Sequence, residues 1–222
     1  MKTLAAILVQ TKNPLVLDEI EIPKLRKGQI LVKIHYSGIC GTQLNEIDGK
    51  KGEDKWLPHC LGHEAVGTVC DTGPGVSRIK VDDNVVLTWL RGEGIDAGGV
   101  QYGWRKSIVN AGPVTTFQQY AVVSESRVFT TGTSALTDMH VLMGCAAPTG
   151  MGAVRNVLRV QKGNSFLVFG SGGVGLCAIS MARKLGANPI IAVDISNERL
   201  KLAKSFGADI TVNLTSESIA DA

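Results

Sequence analysis

The chain has 222 residues, and at roughly 150 residues per domain that makes one large domain or two small ones. Its 23 Lys and Arg against 20 Asp and Glu leave a formal charge of +3, too mild and too scattered for a nucleic-acid surface. With 44% hydrophobic and 19% charged residues, a disordered chain is excluded and a sizeable core is expected.

No apolar run approaches the ~18 residues that a membrane helix needs. The apolar stretch Leu4 to Val9 is short and lacks a small-residue cleavage site, so it does not read as a signal peptide. Cys40, Cys60, Cys70, Cys145 and Cys177 are odd in number and widely spaced, which favours a reducing compartment with some cysteines used as ligands over a disulfide framework. The expectation is a soluble, cytoplasmic protein with no membrane and no nucleic-acid partner.

In chain order, the first 150 or so residues read mainly as strands. Gln29 to Tyr36 alternates, with Ile30, Val32, Ile34 and Tyr36 on the face expected to be buried. Glu64 to Cys70, Val85 to Leu87 and Tyr120 to Val123 are further short strands, separated by turns such as Thr72-Gly73-Pro74-Gly75. Many short strands with glycine turns predict an irregular β-barrel-like domain. From Trp89 to Phe117 no period is sustained, and a loop that long is usually functional or mobile.

After about Ala146 the pattern changes. Thr149 to Val160 reads as helix, Ser165 to Phe169 as a strand buried on both faces, Leu176 to Leu185 as helix and Pro189 to Val193 as strand. Asn197 to Phe206 is a further helix and Asp209 to Asn213 a last short strand. Alternating strand and helix predicts a parallel sheet with crossover helices, hence α/β, with the domain boundary set at 148/149.

Gly170-Ser171-Gly172-Gly173-Val174-Gly175 fits G-x-G-x-x-G, follows the buried strand and opens a helix. Gly170 permits the tight turn, Gly172 lets backbone N–H groups approach a pyrophosphate, and Gly175 lets helix and strand pack closely. The helix N-terminus then offers unpaired donors and a favourable dipole to the anion. Asp194, 24 residues after Gly170, is placed to accept from an adenosine ribose diol and to repel a 2′-phosphate, which points to NAD rather than NADP. Arg199 is the nearest cation, one turn into the next helix, placed for the ribose or, less favourably, a 2′-phosphate.

Three further stretches stand out: Ser37-Gly38-Ile39-Cys40-Gly41-Thr42, Leu61-Gly62-His63-Glu64 and Gly144-Cys145-Ala146-Ala147-Pro148-Thr149-Gly150. With the glycine loop they make the chain resemble a zinc-containing medium-chain alcohol dehydrogenase, from the first strand to the last residue. The resemblance implies a GroES-like β-barrel domain followed by part of a doubly wound Rossmann domain. It implies that Cys40, His63 and Cys145 hold one catalytic zinc, a ligand set that alcohol dehydrogenase itself exemplifies, with a fourth position open where a hydroxyl is acidified. By the same resemblance Glu64 is the carboxylate near the metal, Thr42 takes the substrate proton, Thr149 packs near the nicotinamide, and Trp89 lines the substrate pocket. The implied reaction moves a hydride between a small alcohol or carbonyl and NAD; the alternatives are a polyol or sugar dehydrogenase and a non-catalytic zinc- or nucleotide-binding module. A homo-oligomer is expected at full length.

The sequence departs from that pattern in three places. Trp89 to Phe117 contains no cysteine, so no structural zinc is expected. Gly41, Gln43 and Asn45 stand where relatives often carry a basic residue, an aspartate and a histidine. Only 52 residues follow Gly170, room for three strands, so the expectation is a piece of a longer protein with apolar surface along an unfinished sheet. Cys70 and Cys177 are expected in the core, Cys60 and His59 as neighbours of the site, and His35 and His140 at a surface or helix entry.

Overall fold

The computed structural model describes residues 1–132 and 136–218. They form two compact units, Met1–Cys145 and Ala146–Ala222. Among the described residues no helix is long and apolar enough to cross a membrane.

In the first unit the elements run β1 (Lys2–Leu8), β2 (Val16–Glu21), β3 (Gln29–Ser37), α1 (Gly41–Ile47), β4 (His59–Cys60), β5 (Ala65–Thr72), β6 (Asn84–Leu87), β7 (Val100–Trp104), β8 (Ser107–Ala111), β9 (Tyr120–Ser124) and β10 (Val128–Thr130). Five strands close a barrel in the order β1-β2-β7-β8-β4, and a second sheet runs β10-β6-β5-β3-β9. β3 serves two cores at once. Ile30 and Val32 pack with Val69, Val85, Leu87 and Val123, whereas Leu31 points into the barrel with Ile7, Ile20, Tyr102 and Val109.

That double burial corrects the simple alternation read from the sequence. Tyr36, expected inside, is half exposed. The β3–β5 pairing shifts register at Leu31/Val32 and again at Ile34/Tyr36, so the strand does not keep one face inward along its length. The second shift brings Ser37 beside Ala65, and Ser37 Oγ donates to the Glu64 carbonyl at 3.2 Å. The loop leading to Cys40 is thereby tied to the loop carrying His63 and Glu64.

The segment from Trp89 to Phe117 is not a patternless loop. It contains the β7–β8 hairpin, paired from Val100↔Ala111 to Trp104↔Ser107, and this hairpin closes the barrel. Tyr102 is fully buried, its hydroxyl accepting from Gln118 Nε2 at 2.9 Å and from Val122 N–H at 2.8 Å. A buried aromatic with its polar end satisfied contributes on the order of 1.5–3 kcal/mol. The approach to the hairpin is fixed by Glu125, whose carboxylate accepts from the Ser77, Arg78 and Ile95 N–H groups at 2.9, 3.0 and 2.9 Å.

The second unit contains α2 (Ala146–Gly152), a π-helical turn at Ala153–Val157, β11 (Phe166–Phe169), α3 (Gly173–Lys184), β12 (Ile190–Asp194), α4 (Asn197–Phe206) and β13 (Ile210–Asn213). The three strands are parallel in the order β11-β12-β13. Ala178, Ile179 and Ala182 of α3 and Leu200 and Ala203 of α4 cover Phe166, Ile190 and Ala192. α4 starts at Ser196, whose Oγ accepts from Arg199 N–H, and stops at Gly207, whose φ of +116° only glycine adopts easily. Along β11, Leu167 and Phe169 remain exposed.

Candidate active site

The ligand atoms of Cys40, His63, Glu64 and Cys145 all lie within 4.8 Å of one another. Cys40 is the N-cap of α1, His63 and Glu64 stand between β4 and β5, and Cys145 follows a 3-10 segment, Asp138–Gly144. Residues more than a hundred positions apart therefore converge.

Two glycines of the motifs make the convergence possible. A Cβ on Gly144 would overlap the Leu87 carbonyl and come within 2.9 Å of Glu64 Cβ; one on Gly38 would sit 2.7 Å from the Glu64 carboxyl carbon. Both leave room for the Glu64 side chain, and Thr88 Oγ1 donates to the Gly144 carbonyl at 2.7 Å, fixing the backbone before Cys145.

His63 Nε2 lies 3.3 Å from Cys145 Sγ, while its Nδ1 is 2.6 Å from Gln43 Nε2. Gln43 is buried, and its Oε1 accepts from Cys40 N–H at 3.1 Å, so one amide touches two members of the cluster. Burial pulls the His63 imidazole below its ordinary value, partly opposed by Glu46 and assisted by Lys51, which favours the neutral ring that metals bind. Two thiols and an imidazole are a donor set for a borderline-soft cation such as zinc. Ligands at ~2.3 and ~2.05 Å around a tetrahedral zinc put sulfur and nitrogen about 3.5 Å apart, close to the separation of His63 from Cys145.

Of the other residues singled out from the sequence, Thr42 is exposed, with Oγ1 3.6 Å from Cys40 Sγ. Trp89 is half exposed, its carbonyl bound by Arg127, and it does not line the cavity beside His63. That cavity, about 510 Å³, is walled by Trp56, His59, Glu46, Asn110 and Thr115, together with Gln43 and His63. Trp56, Glu46 and Asn110 belong to no motif, so the sequence pattern does not single them out.

His59 forms a second cluster with Glu46 and Asp54. Its Nδ1 donates to the Cys60 carbonyl at 3.1 Å, and Nε2 meets Asp54 Oδ2 at 2.7 Å. That separation is a hydrogen bond, shorter than the ~3 Å or more between two ligands of one ion. The cluster is held together by hydrogen bonding. Cys60 lies in the barrel core, where burial pushes its thiol up to about 12, and it is not among the donors of either cluster. Cys70 is exposed and Cys177 half-buried, so neither is the core residue expected. His35 is exposed against Thr68, and His140 receives the Thr137 N–H at the start of the 3-10 segment.

In the second unit, Gly170 has φ +91°, Gly172 is the N-cap of α3, and a Cβ on either would meet nothing within 4 Å, which leaves the loop open to a ligand. Gly173 and Val174 are the first, exposed residues of α3. A Cβ on Gly175 would overlap the Gly170 carbonyl, and one on Gly150 would overlap that of Val174. Asp194 ends β12, is buried, and its Oδ2 accepts from Ser171 N–H at 2.7 Å. Its Oδ1 accepts from Ile195 and Ser196 N–H at 2.8 and 2.9 Å. Burial alone would raise this carboxyl, but those three N–H groups and the Arg199 charge outweigh it, and it sits below its ordinary value. Asp194 thus anchors the glycine loop, a task its place in the motif did not reveal. Thr149, on α2, and the Arg199 side chain are exposed.

Residues 26–133 match the alcohol dehydrogenase GroES-like domain and residues 173–222 the zinc-binding dehydrogenase family. The S-(hydroxymethyl)glutathione dehydrogenase of Photobacterium damsela subsp. piscicida is 32% identical over 96% of this chain and 64% of its own length; that of Synechocystis sp. is 31% identical with the same coverage. The crystal structure of benzyl alcohol dehydrogenase from Acinetobacter calcoaceticus superposes with a TM-score of 0.86 at 29% identity, over 98% of this chain and 65% of that one. The chain belongs to the zinc-containing medium-chain alcohol dehydrogenase family. It spans about 64% of the length of the curated relatives it matches.

Proposed function

We propose that the protein carrying this chain is a zinc- and NAD-dependent dehydrogenase acting on a small alcohol, or in reverse on a carbonyl. The observation that carries the reading is the convergence of Cys40, His63 and Cys145, whose ligand atoms lie within 4.8 Å of one another, with the donor set of a three-ligand zinc site and a His63–Cys145 separation of 3.3 Å that fits it. When bound, zinc acidifies a substrate hydroxyl or polarises a carbonyl, and NAD exchanges the hydride.

The chain's own residues do the rest. Cys40, His63 and Cys145 would hold the zinc through two thiolates and one imidazole. Thr42 holds a hydroxyl beside Cys40 to receive the substrate proton. Glu64 places a carboxylate among the ligands. Gly170, Gly172 and Gly173 offer open backbone to a pyrophosphate, with Val174 and Gly175 continuing the helix behind it. Asp194 has lone pairs beyond the three it uses for the loop, enough to accept from a ribose hydroxyl, with Arg199 one turn into the next helix and Thr149 on α2 toward the nicotinamide.

A polyol or sugar alcohol is the second reading, favoured by Glu46, His59 and Asn110 around the cavity beside His63. Zinc content together with an NAD-coupled assay on a panel of simple, aromatic and polyhydroxylated alcohols tests both, using the full-length protein. One zinc per chain and turnover with some member of the panel are expected. Zinc bound without turnover on any member would instead identify a binding module. Asp194→Ala should narrow the preference for NAD over NADP; an unmodified protein that binds NADP more tightly would overturn the cofactor assignment.

A further inference from the structure

We propose that Gln43 is a positioning residue that limits how tightly this site holds zinc, because its single carbonyl oxygen must serve two donors once the metal is bound. The proposal rests on the reading that Cys40, His63 and Cys145 hold zinc.

Gln43 lies at the third position of α1 and reaches back to the N-cap. The Cys40 N–H can only donate, so the amide must turn Oε1 toward it, as found at 3.1 Å. The other end of the amide, an NH2 with two donors, then faces His63 Nδ1 at 2.6 Å. Nδ1 must accept, so the one ring hydrogen of the neutral imidazole lies on Nε2, where it faces Cys145 Sγ at 3.3 Å.

Zinc takes the Nε2 lone pair. The ring hydrogen must then lie on Nδ1, where it confronts the Gln43 NH2, donor against donor. Turning the amide over gives Oε1 to Nδ1–H but sets the NH2 against Cys40 N–H. Either way one donor loses its acceptor, at a residue only 3% exposed, where water is a poor substitute. A carboxylate of the same reach has acceptors for both donors and removes the conflict. Partners of metal-bound imidazoles typically change affinity by about 10–100-fold.

The test uses the full-length protein, metal-free and zinc-loaded, in wild-type and Gln43→Glu forms. Zinc affinity is measured by chelator competition, and the His63 ring hydrogen is located by long-range 1H–15N spectra of histidine-labelled protein. Gln43→Glu should bind zinc at least about tenfold more tightly. In the metal-free wild type the hydrogen should be on Nε2 and in the zinc-loaded form on Nδ1; in Gln43→Glu it should be on Nδ1 in both. An affinity gain from charge alone would leave the metal-free variant with its hydrogen on Nε2, and that outcome overturns the proposal. So does a wild-type metal-free His63 with its hydrogen on Nδ1, a reading that needs no variant to fold. A wild type that binds no zinc overturns the site itself.

Discussion

Gly144→Ala is the substitution in which packing and metal binding are most directly linked. The new methyl would overlap the Leu87 carbonyl and lie 2.9 and 3.1 Å from Glu64 Cβ and Cα. Carbon atoms settle at about 3.5–4.0 Å, so the backbone must give by roughly half an ångström, and every neighbour is main chain or the first side-chain carbon, which cannot swing away. Overpacking of this kind costs about 1–3 kcal/mol, a tolerable fraction of the ~5–15 kcal/mol of a folded domain. At ~2–4 °C per kcal/mol the Tm should fall by about 2–12 °C. The larger effect falls on Cys145, the next residue, because ligand distances hold to about ±0.2 Å and the shift exceeds that. Chelator competition should show zinc affinity reduced by about tenfold or more. Gly41→Ala is the control, since a Cβ there meets nothing within 4 Å, and Gly38→Ala should fall between, because it meets the movable end of Glu64. A Gly144→Ala protein with wild-type zinc affinity and a Tm within about 1 °C would refute the reasoning.

Cys145→Ala should abolish tight zinc binding and leave no second tightly held ion, read by elemental analysis; full occupancy in that variant would count against a three-ligand site. Gly175→Ala gains about 1 kcal/mol of helix propensity yet should weaken dinucleotide binding measured calorimetrically, because its methyl overlaps the Gly170 carbonyl. Unchanged binding would mean the loop has slack that the structure does not show. The Asp194 carboxyl is held below its ordinary 3.8, so the folded state binds fewer protons than the unfolded one. Its stabilisation is present above that ordinary value and is lost as pH falls through the folded value. Urea unfolding should therefore show Asp194→Asn with a shallower loss of stability below about pH 4 than wild type; parallel curves would remove Asp194 as an anchor of the loop.

The glycine loop was legible because each glycine answers a separate backbone demand, and the structure shows those demands as a positive φ at Gly170 and an overlap at Gly175. Cys40, His63 and Cys145 were legible through the short motifs around them, whose glycines Gly38 and Gly144 prove to be spaces for Glu64. The β7–β8 hairpin was not. Its inward residues Val100, Tyr102, Val109 and Ala111 are too few to set a period, and Gly98, Gly99 and Gly103 mask them. Its place in the barrel depends on pairing with β2 and β4, far away in sequence. Trp56 in the wall of the cavity beside His63 was not legible for the same reason: only the closed barrel brings it alongside Asn110, which donates to its carbonyl. The two duties of Asp194 share one motif position, and the pattern identifies the position without telling ribose from Ser171 N–H.

X-ray absorption at the zinc edge of the purified full-length protein tests the central claim most directly. Two sulfur neighbours near ~2.3 Å and one nitrogen near ~2.0–2.1 Å are predicted, with one further light-atom neighbour that changes when an alcohol or carbonyl ligand is added. A metal shell without sulfur, a closed shell of four sulfurs, or no zinc beyond the buffer background would contradict the assignment of Cys40, His63 and Cys145 as the catalytic site.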